Sequence, residues 1–158
     1  MNEFERVRLI MDRVFSCDMI FAFATCVNDI PSVRCVDACY YEGRFYIVTY
    51  ASTNKVRQIT ENPRAAMTNK QMHSFSGLAR NIGHPLKPQN SEIRNALIPV
   101  FADWYFQHND EGDDDMCYIE FEPQTGFVHD GGMGYRVDFE NRTAVGFPFE
   151  SQIIDPQA

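Results

Sequence analysis

Positive charge is scarce in this chain. Its 158 residues carry 22 acidic and 14 basic side chains, a formal net charge of −8 at pH 7. A diffuse anionic surface repels phosphate backbones and anionic bilayers, which argues against nucleic acid or a membrane as partner. Any phosphate ligand must therefore be gripped locally, by a few cations and backbone N–H groups. Long apolar runs are missing too. None approaches the ~18 residues of a membrane span, and no signal-peptide core follows the charged segment that ends at Asp12. The five cysteines, Cys17, Cys26, Cys35, Cys39 and Cys117, form no CxxC pair. A zinc knuckle or thioredoxin-like site therefore has no support. Odd in number and irregular in spacing, they read as free thiols of a reducing, cytoplasmic compartment. Cys35 and Cys39, four apart on one strand face, read as small apolar fillers.

Other signatures are absent as well. His73, His84, His108 and His129 show no HExxH or other metal spacing. Asp113-Asp114-Asp115 lacks the alternating ligands of an EF-hand, so a solvated acidic loop is expected and no metal site. Gly131-Gly132-x-Gly134 leads from one strand into another, which makes it a hairpin turn and not a dinucleotide fingerprint. There is no Walker sequence and no G-x-S-x-G elbow. What the chain has in quantity is aromatic side chains, 13 Phe and 7 Tyr, which suits a β-rich core or a stacking surface.

Periodicity predicts an amphipathic helix over residues 2–17, with Phe4, Val7, Leu9, Ile10, Met11, Val14 and Phe15 in its apolar stripe. Three strands follow as a meander: Met19–Val27, Ser32–Tyr41 and Arg44–Tyr50, with Asn28–Pro31 and Glu42-Gly43 as turns. Lys55–Glu61 reads as a short helix, capped from Ser52-Thr53-Asn54 and ended by Asn62-Pro63. Strands are expected at Arg64–Asn69 and His73–Gly83, and a longer helix over Asn90–Trp104 with a break at Pro99. The acidic loop 109–115 leads to a strand over Met116–His129, interrupted at Pro123, and a last strand over Tyr135–Glu140. Residues 1–140 are read as one domain and 141–158 as a tail. Short, evenly spaced strands with few helices suggest a closed barrel.

The stretch from Arg34 to Lys55 carries the most chemistry. A helix N-terminus offers free N–H groups and a partial positive charge to an anion. Ser52 and Thr53 add hydroxyls, Lys55 adds a cation in the first turn, and Arg34 on a neighbouring strand can close the cage. The residues alone also fit a plainer reading, with Ser52 and Thr53 capping a helix and Lys55 solvated.

The ordered set Arg34-x-Val36, Phe45-Tyr46-x-x-Thr49, Ser52-Thr53-Asn54-Lys55, Asn62-Pro63-Arg64 and Ser76-Gly77 resembles the pyridoxamine 5′-phosphate oxidase-like FMN-binding family, in its general-stress-protein branch. The resemblance runs over about residues 5–83, and more loosely to about 140. It implies a mainly β fold with flanking helices, a six-stranded split β-barrel, and a homodimer whose two FMN sites are built from both chains. It implies that Arg34 and Lys55 bind the FMN phosphate, helped by Ser52, Thr53 and Asn54. Arg34, Cys35 and Val36 would run beside the isoalloxazine, Val48 and Thr49 would line the ribityl or ring region, and Gln71 or Met72 would touch the ring edge. The family's oxidases carry a C-terminal Arg-x-His element and a Trp-x-x-Arg-Leu-x-Pro ending. This chain instead has Arg136-Val137-Asp138 and ends through Phe147-Pro148-Phe149-Glu150. The expected function is therefore a flavin-dependent oxidoreductase on an unidentified small molecule, not vitamin B6 oxidation. The alternatives are a non-catalytic FMN-binding stress protein, or a binder of haem or a deazaflavin. No catalytic residue is assigned; Tyr50 and His73 are the only candidates.

Overall fold

The computed structural model describes residues 1–151. Eight strands and four α-helices succeed one another: α1 Glu3–Val14, β1 Met19–Val27, β2 Ile30–Tyr41, β3 Arg44–Tyr50, α2 Asn54–Glu61, β4 Arg64–Thr68, β5 Ser74–Gly83, α3 Ser91–Val100, α4 Tyr105–His108, β6 Met116–Asp130, β7 Met133–Asp138 and β8 Thr143–Pro148. The strands form one antiparallel sheet in the order β3-β2-β1-β4-β5-β6-β7-β8, and a β3–β6 pairing closes the first six into a barrel. The fold is thus mainly β, a closed six-stranded barrel with two further strands and flanking helices. Among the described residues, no helix is long and apolar enough to cross a membrane.

β6 makes this topology possible. Its first half, residues 116–121, pairs with β3, and its last, residues 125–130, pairs with β7. Pro123, which cannot donate to a ladder, lies between the two pairings. The strand is continuous through it, and the expected interruption takes the form of a register shift against β5 at Ser76/Gly77. Backbones crowd there: a Cβ on Gly77 would lie 2.0 Å from the Glu122 carbonyl oxygen. Only glycine fits.

Inside the barrel, alternate residues build an aromatic core. Phe15, Phe21, Phe23, Phe45, Phe75 and Phe121 are all buried. Phe45 is its hub, with ring centroids 5.0 Å from Phe75, 5.4 Å from Phe21 and 5.7 Å from Phe15, in tilted or edge geometry. α1 begins with a capping box between Asn2 and Glu5. A second apolar cluster, Leu97, Phe101 and Tyr105 against Tyr46 and Tyr118, fixes α3 and α4 on the outside of the barrel.

Several expected boundaries shift. The helix expected over 90–104 ends at Val100, just past Pro99, and a separate turn of helix follows at Tyr105. The tail expected from residue 141 contains β8, paired with β7 from Asp138↔Thr143 to Met133↔Pro148. The last seven residues of that expected tail, 152–158, lie outside the described residues.

The barrel is split on one side. β2 pairs with β3 only over Cys39–Tyr41 and Arg44–Tyr46. From there the strands part. Ile30–Ala38 keep β1 on one edge and no strand on the other, while Ile47–Tyr50 pair only with β6. α2 follows β3 directly and packs on β1 and β5.

Candidate functional site

The mouth of this split collects most of the residues singled out in the sequence. Strand alternation sorts them by face. Arg34 shares the inward face of β2 with buried Val36 and Ala38, and Thr49 shares the inward face of β3 with buried Ile47 and Phe45. Cys35 and Val48 point the other way: Cys35 is exposed, and Val48 packs against the α3–α4 cluster. Cys35 and Cys39 therefore do not both act as fillers, since only Cys39 is buried.

Arg34 lies half-buried under α2. Its Nη1 donates to Thr25 Oγ1 at 2.9 Å and to the Phe23 carbonyl at 3.3 Å, and its Nη2 donates to Gln58 Oε1 at 2.6 Å. None of these acceptors carries charge. Lys55, in the first turn of α2, has no ion pair among the described residues. Burial holds its ammonium below the ordinary lysine range, and repulsion from Arg34 pushes the same way. Burial lowers Arg34 likewise. Two desolvated cations thus sit as neighbours, neither in an ion pair among the described residues, in a chain that is acidic overall. The physical remedy for that repulsion is an anion.

The other expected phosphate ligands are differently placed. The Thr53 hydroxyl turns back to the Tyr50 carbonyl at 2.8 Å, so the N-terminus of α2 has no side-chain cap. The first-turn N–H groups stay open to a ligand. The Ser52 hydroxyl donates to Asp115 at 2.6 Å and so ties the acidic loop to the start of α2. Asn54 accepts from Arg57 within the helix. Gln71 lies in the β4–β5 turn, where its carbonyl accepts from His129 Nε2 at 2.6 Å, and no contact joins it to Arg34 or Lys55. The candidate acid–base residues are engaged elsewhere. The Tyr50 hydroxyl accepts from the Asp110 N–H at 3.1 Å. His73 is buried and stacked on His129 at 4.4 Å, and burial pushes its imidazole down to about 4.

Three neighbours of the cations were not singled out from sequence. Thr25 and Gln58 hold Arg34, and Cys117, opposite Thr49, lies beside Lys55. Burial pushes the Cys117 thiol up to about 11, so it is a packing residue and not a thiolate. The Thr25 signal was present: it is the one polar residue in the inward series Phe21, Phe23, Thr25. Gln58 follows Lys55 by three, on the same helix face.

No family model and no curated protein matches the sequence. Solved structures do match. General Stress Protein 26 from Bacillus anthracis str. Sterne superposes with a TM-score of 0.63 at 16% identity, over 84% of this chain and 99% of its own. A pyridoxamine 5′-phosphate oxidase-related, FMN binding protein from Nostoc punctiforme PCC 73102 gives 0.57 at 11% identity, over 96% of this chain and 98% of its own. A heme binding protein from Mycobacterium smegmatis gives 0.61 at 16% identity, over 80% of this chain and 55% of its own. The chain therefore has the split-barrel fold of the pyridoxamine 5′-phosphate oxidase-like proteins.

Proposed function

We propose that the protein binds FMN in the split between β2 and β3, as a member of the pyridoxamine 5′-phosphate oxidase-like flavoproteins, and acts as a flavin-dependent oxidoreductase on a small molecule. The observation that carries the reading is the pairing of Arg34 with Lys55, two desolvated cations that form no ion pair among the described residues. A phosphate dianion fits them by charge, and the open N–H groups of α2 fit its oxygens. The strandless edge of Ile30–Ala38 supplies backbone donors and acceptors for a flat polar ring. FMN, when bound, supplies the electron and hydride transfer; the chain's own residues bind it, orient it and keep water from it. No side chain is assigned as acid or base.

A homodimer belongs to the same proposal. Ile20 on β1 and Val33 on β2, on the outward face of the two strands, are 63% and 69% exposed, which leaves an apolar outer surface beside the proposed cofactor. Sedimentation at micromolar concentration is expected to give twice the mass of one chain, and an FMN-saturated monomer would rule the dimer out.

The absorbance spectrum of the purified protein tests the cofactor. Flavin bands with released FMN are expected; a Soret band would assign the site to haem instead. Pyridoxamine 5′-phosphate is not the expected substrate. A second phosphate beside FMN needs cations of its own, and from Met116 onward the chain offers only Arg136 and Arg142. Both lie over aromatic rings, of Phe147 and Phe4. Aerobic incubation with the B6 phosphate should yield no aldehyde at a rate near one per second, roughly the lower end of ordinary enzyme turnover.

A further inference from the structure

We propose that Gln58 and Thr25 are positioning residues that set both the aim and the charge of Arg34, and so make the site selective for a phosphorylated ligand; this rests on the flavin reading above. The geometry is a closed relay. Thr25 Oγ1 donates to Gln58 Oε1 at 2.7 Å, and those two oxygens each take one terminal nitrogen of Arg34. They therefore face the end of the guanidinium fork. The amide of Gln58 is itself oriented by its nitrogen, which donates to Ser32 Oγ at 3.3 Å. The relay thus draws on three elements, β1, β2 and α2. Of the five N–H groups of the guanidinium, the pair along the Nε–Nη2 edge remains for an oxyanion.

The neutrality of the relay matters as much as its shape. Elsewhere in the molecule an arginine in similar surroundings is met by a carboxylate: Arg94 makes two bonds to Glu111, at 2.8 and 2.9 Å. A glutamate at position 58 would have the same length and would pair with Arg34 in the same way. Glutamine orients the guanidinium without neutralising it, so the full positive charge is kept for a ligand. Thr25 would be a wasted polar group on the inward face of β1 if it had only a packing role.

The experiment is a titration of apo-protein with FMN and with riboflavin, which differ only in the phosphate. It is run on the wild type, Gln58→Glu and Thr25→Val, with thermal melts to confirm folding. The wild type is expected to prefer FMN strongly. Gln58→Glu should weaken FMN by about tenfold or more, the scale of a lost charge-assisted contact, and leave riboflavin within about twofold. Thr25→Val, which keeps the shape and removes the hydroxyl, should lower the FMN/riboflavin ratio in the same direction by less. A merely structural role would lower both affinities together, and that result would overturn the inference. An unchanged ratio in both variants of a wild type that prefers FMN would also overturn it, with the flavin reading intact. A wild type that binds flavin without preference would sink the phosphate reading itself, and this inference with it.

Discussion

Two groups of charges on opposite sides of β3 follow opposite rules. On the outer side, Glu120 on β6 is nearly buried and accepts from Arg80 at 2.7 Å, from Tyr46 at 3.2 Å, and lies 3.5 Å from Arg44. Each arginine there has an acid. At the mouth of the split, Arg34 and Lys55 have none among the described residues. Composition does not explain the difference, because acids outnumber bases 22 to 14. A structural cluster satisfies its charges internally, and a binding site leaves one sign unsatisfied until its ligand arrives.

The most direct way to break the comparison is to remove a cation from the unsatisfied side. Lys55→Ala is expected to weaken FMN binding by about 1.5–3 kcal/mol, the scale of a hydrogen bond to a charged group. Riboflavin binding should hardly change, and neither should thermal stability in the absence of ligand. Equal losses for FMN and riboflavin would show that Lys55 does not meet a phosphate.

The converse experiment acts on the satisfied side. Glu120→Gln should lower stability by about 1–2 kcal/mol and leave the FMN/riboflavin ratio untouched. The loss is smaller than for a fully buried pair because Arg80, at 69% side-chain exposure, returns to water when its acid is removed. Chemical denaturation and the two titrations measure both quantities on one preparation. A change in flavin selectivity would mean that the two clusters are coupled through β3.

The barrel was legible in the sequence because its strands are short apolar runs set off by turns such as Glu42-Gly43, with few helices between them; that Phe21 and Phe23, Val36 and Ala38, and Phe45 and Ile47 are the residues facing inward follows only from the register. β8 was not legible. None of its six residues is buried, so burial leaves no period to read, and its place is fixed by pairing with β7 instead. Arg34 and Lys55 were singled out through the resemblance, since their spacing is local to the ladder and the helix start. What could not be read was the face each neighbour presents. Cys35 and Val48 turn outward by alternation once the register is known. The relay through Thr25 and Gln58 joins residues 33 apart, and such a contact exists only after α2 is laid across β1.

A third charge group sharpens the rule, since it is the mirror image of the split. Asp18 and Asp37 are neighbouring carboxyls at the start of β1 and on β2, with no ion pair among the described residues; the Trp104 indole donates to Asp18 at 2.7 Å. Two acids can relieve their repulsion by sharing a proton, which an arginine–lysine pair does not readily do because Arg keeps its charge. Burial, then the hydrogen bond and charge of Asp18, push Asp37 up to about 6. Its folded value lies above its unfolded one, so the folded state holds the extra proton, and stability falls as pH rises from about 4 through 6. Asp37→Asn keeps a hydrogen-bonding group and abolishes that loss. The variant should be more stable than the wild type by about 1 kcal/mol above pH 7, after allowance for partial exposure, and the gain should vanish below pH 4. Denaturation midpoints across that range decide the matter. A gain that persists at low pH would mean that Asp37 is unfavourable for reasons of packing, and that the two acids do not share a proton.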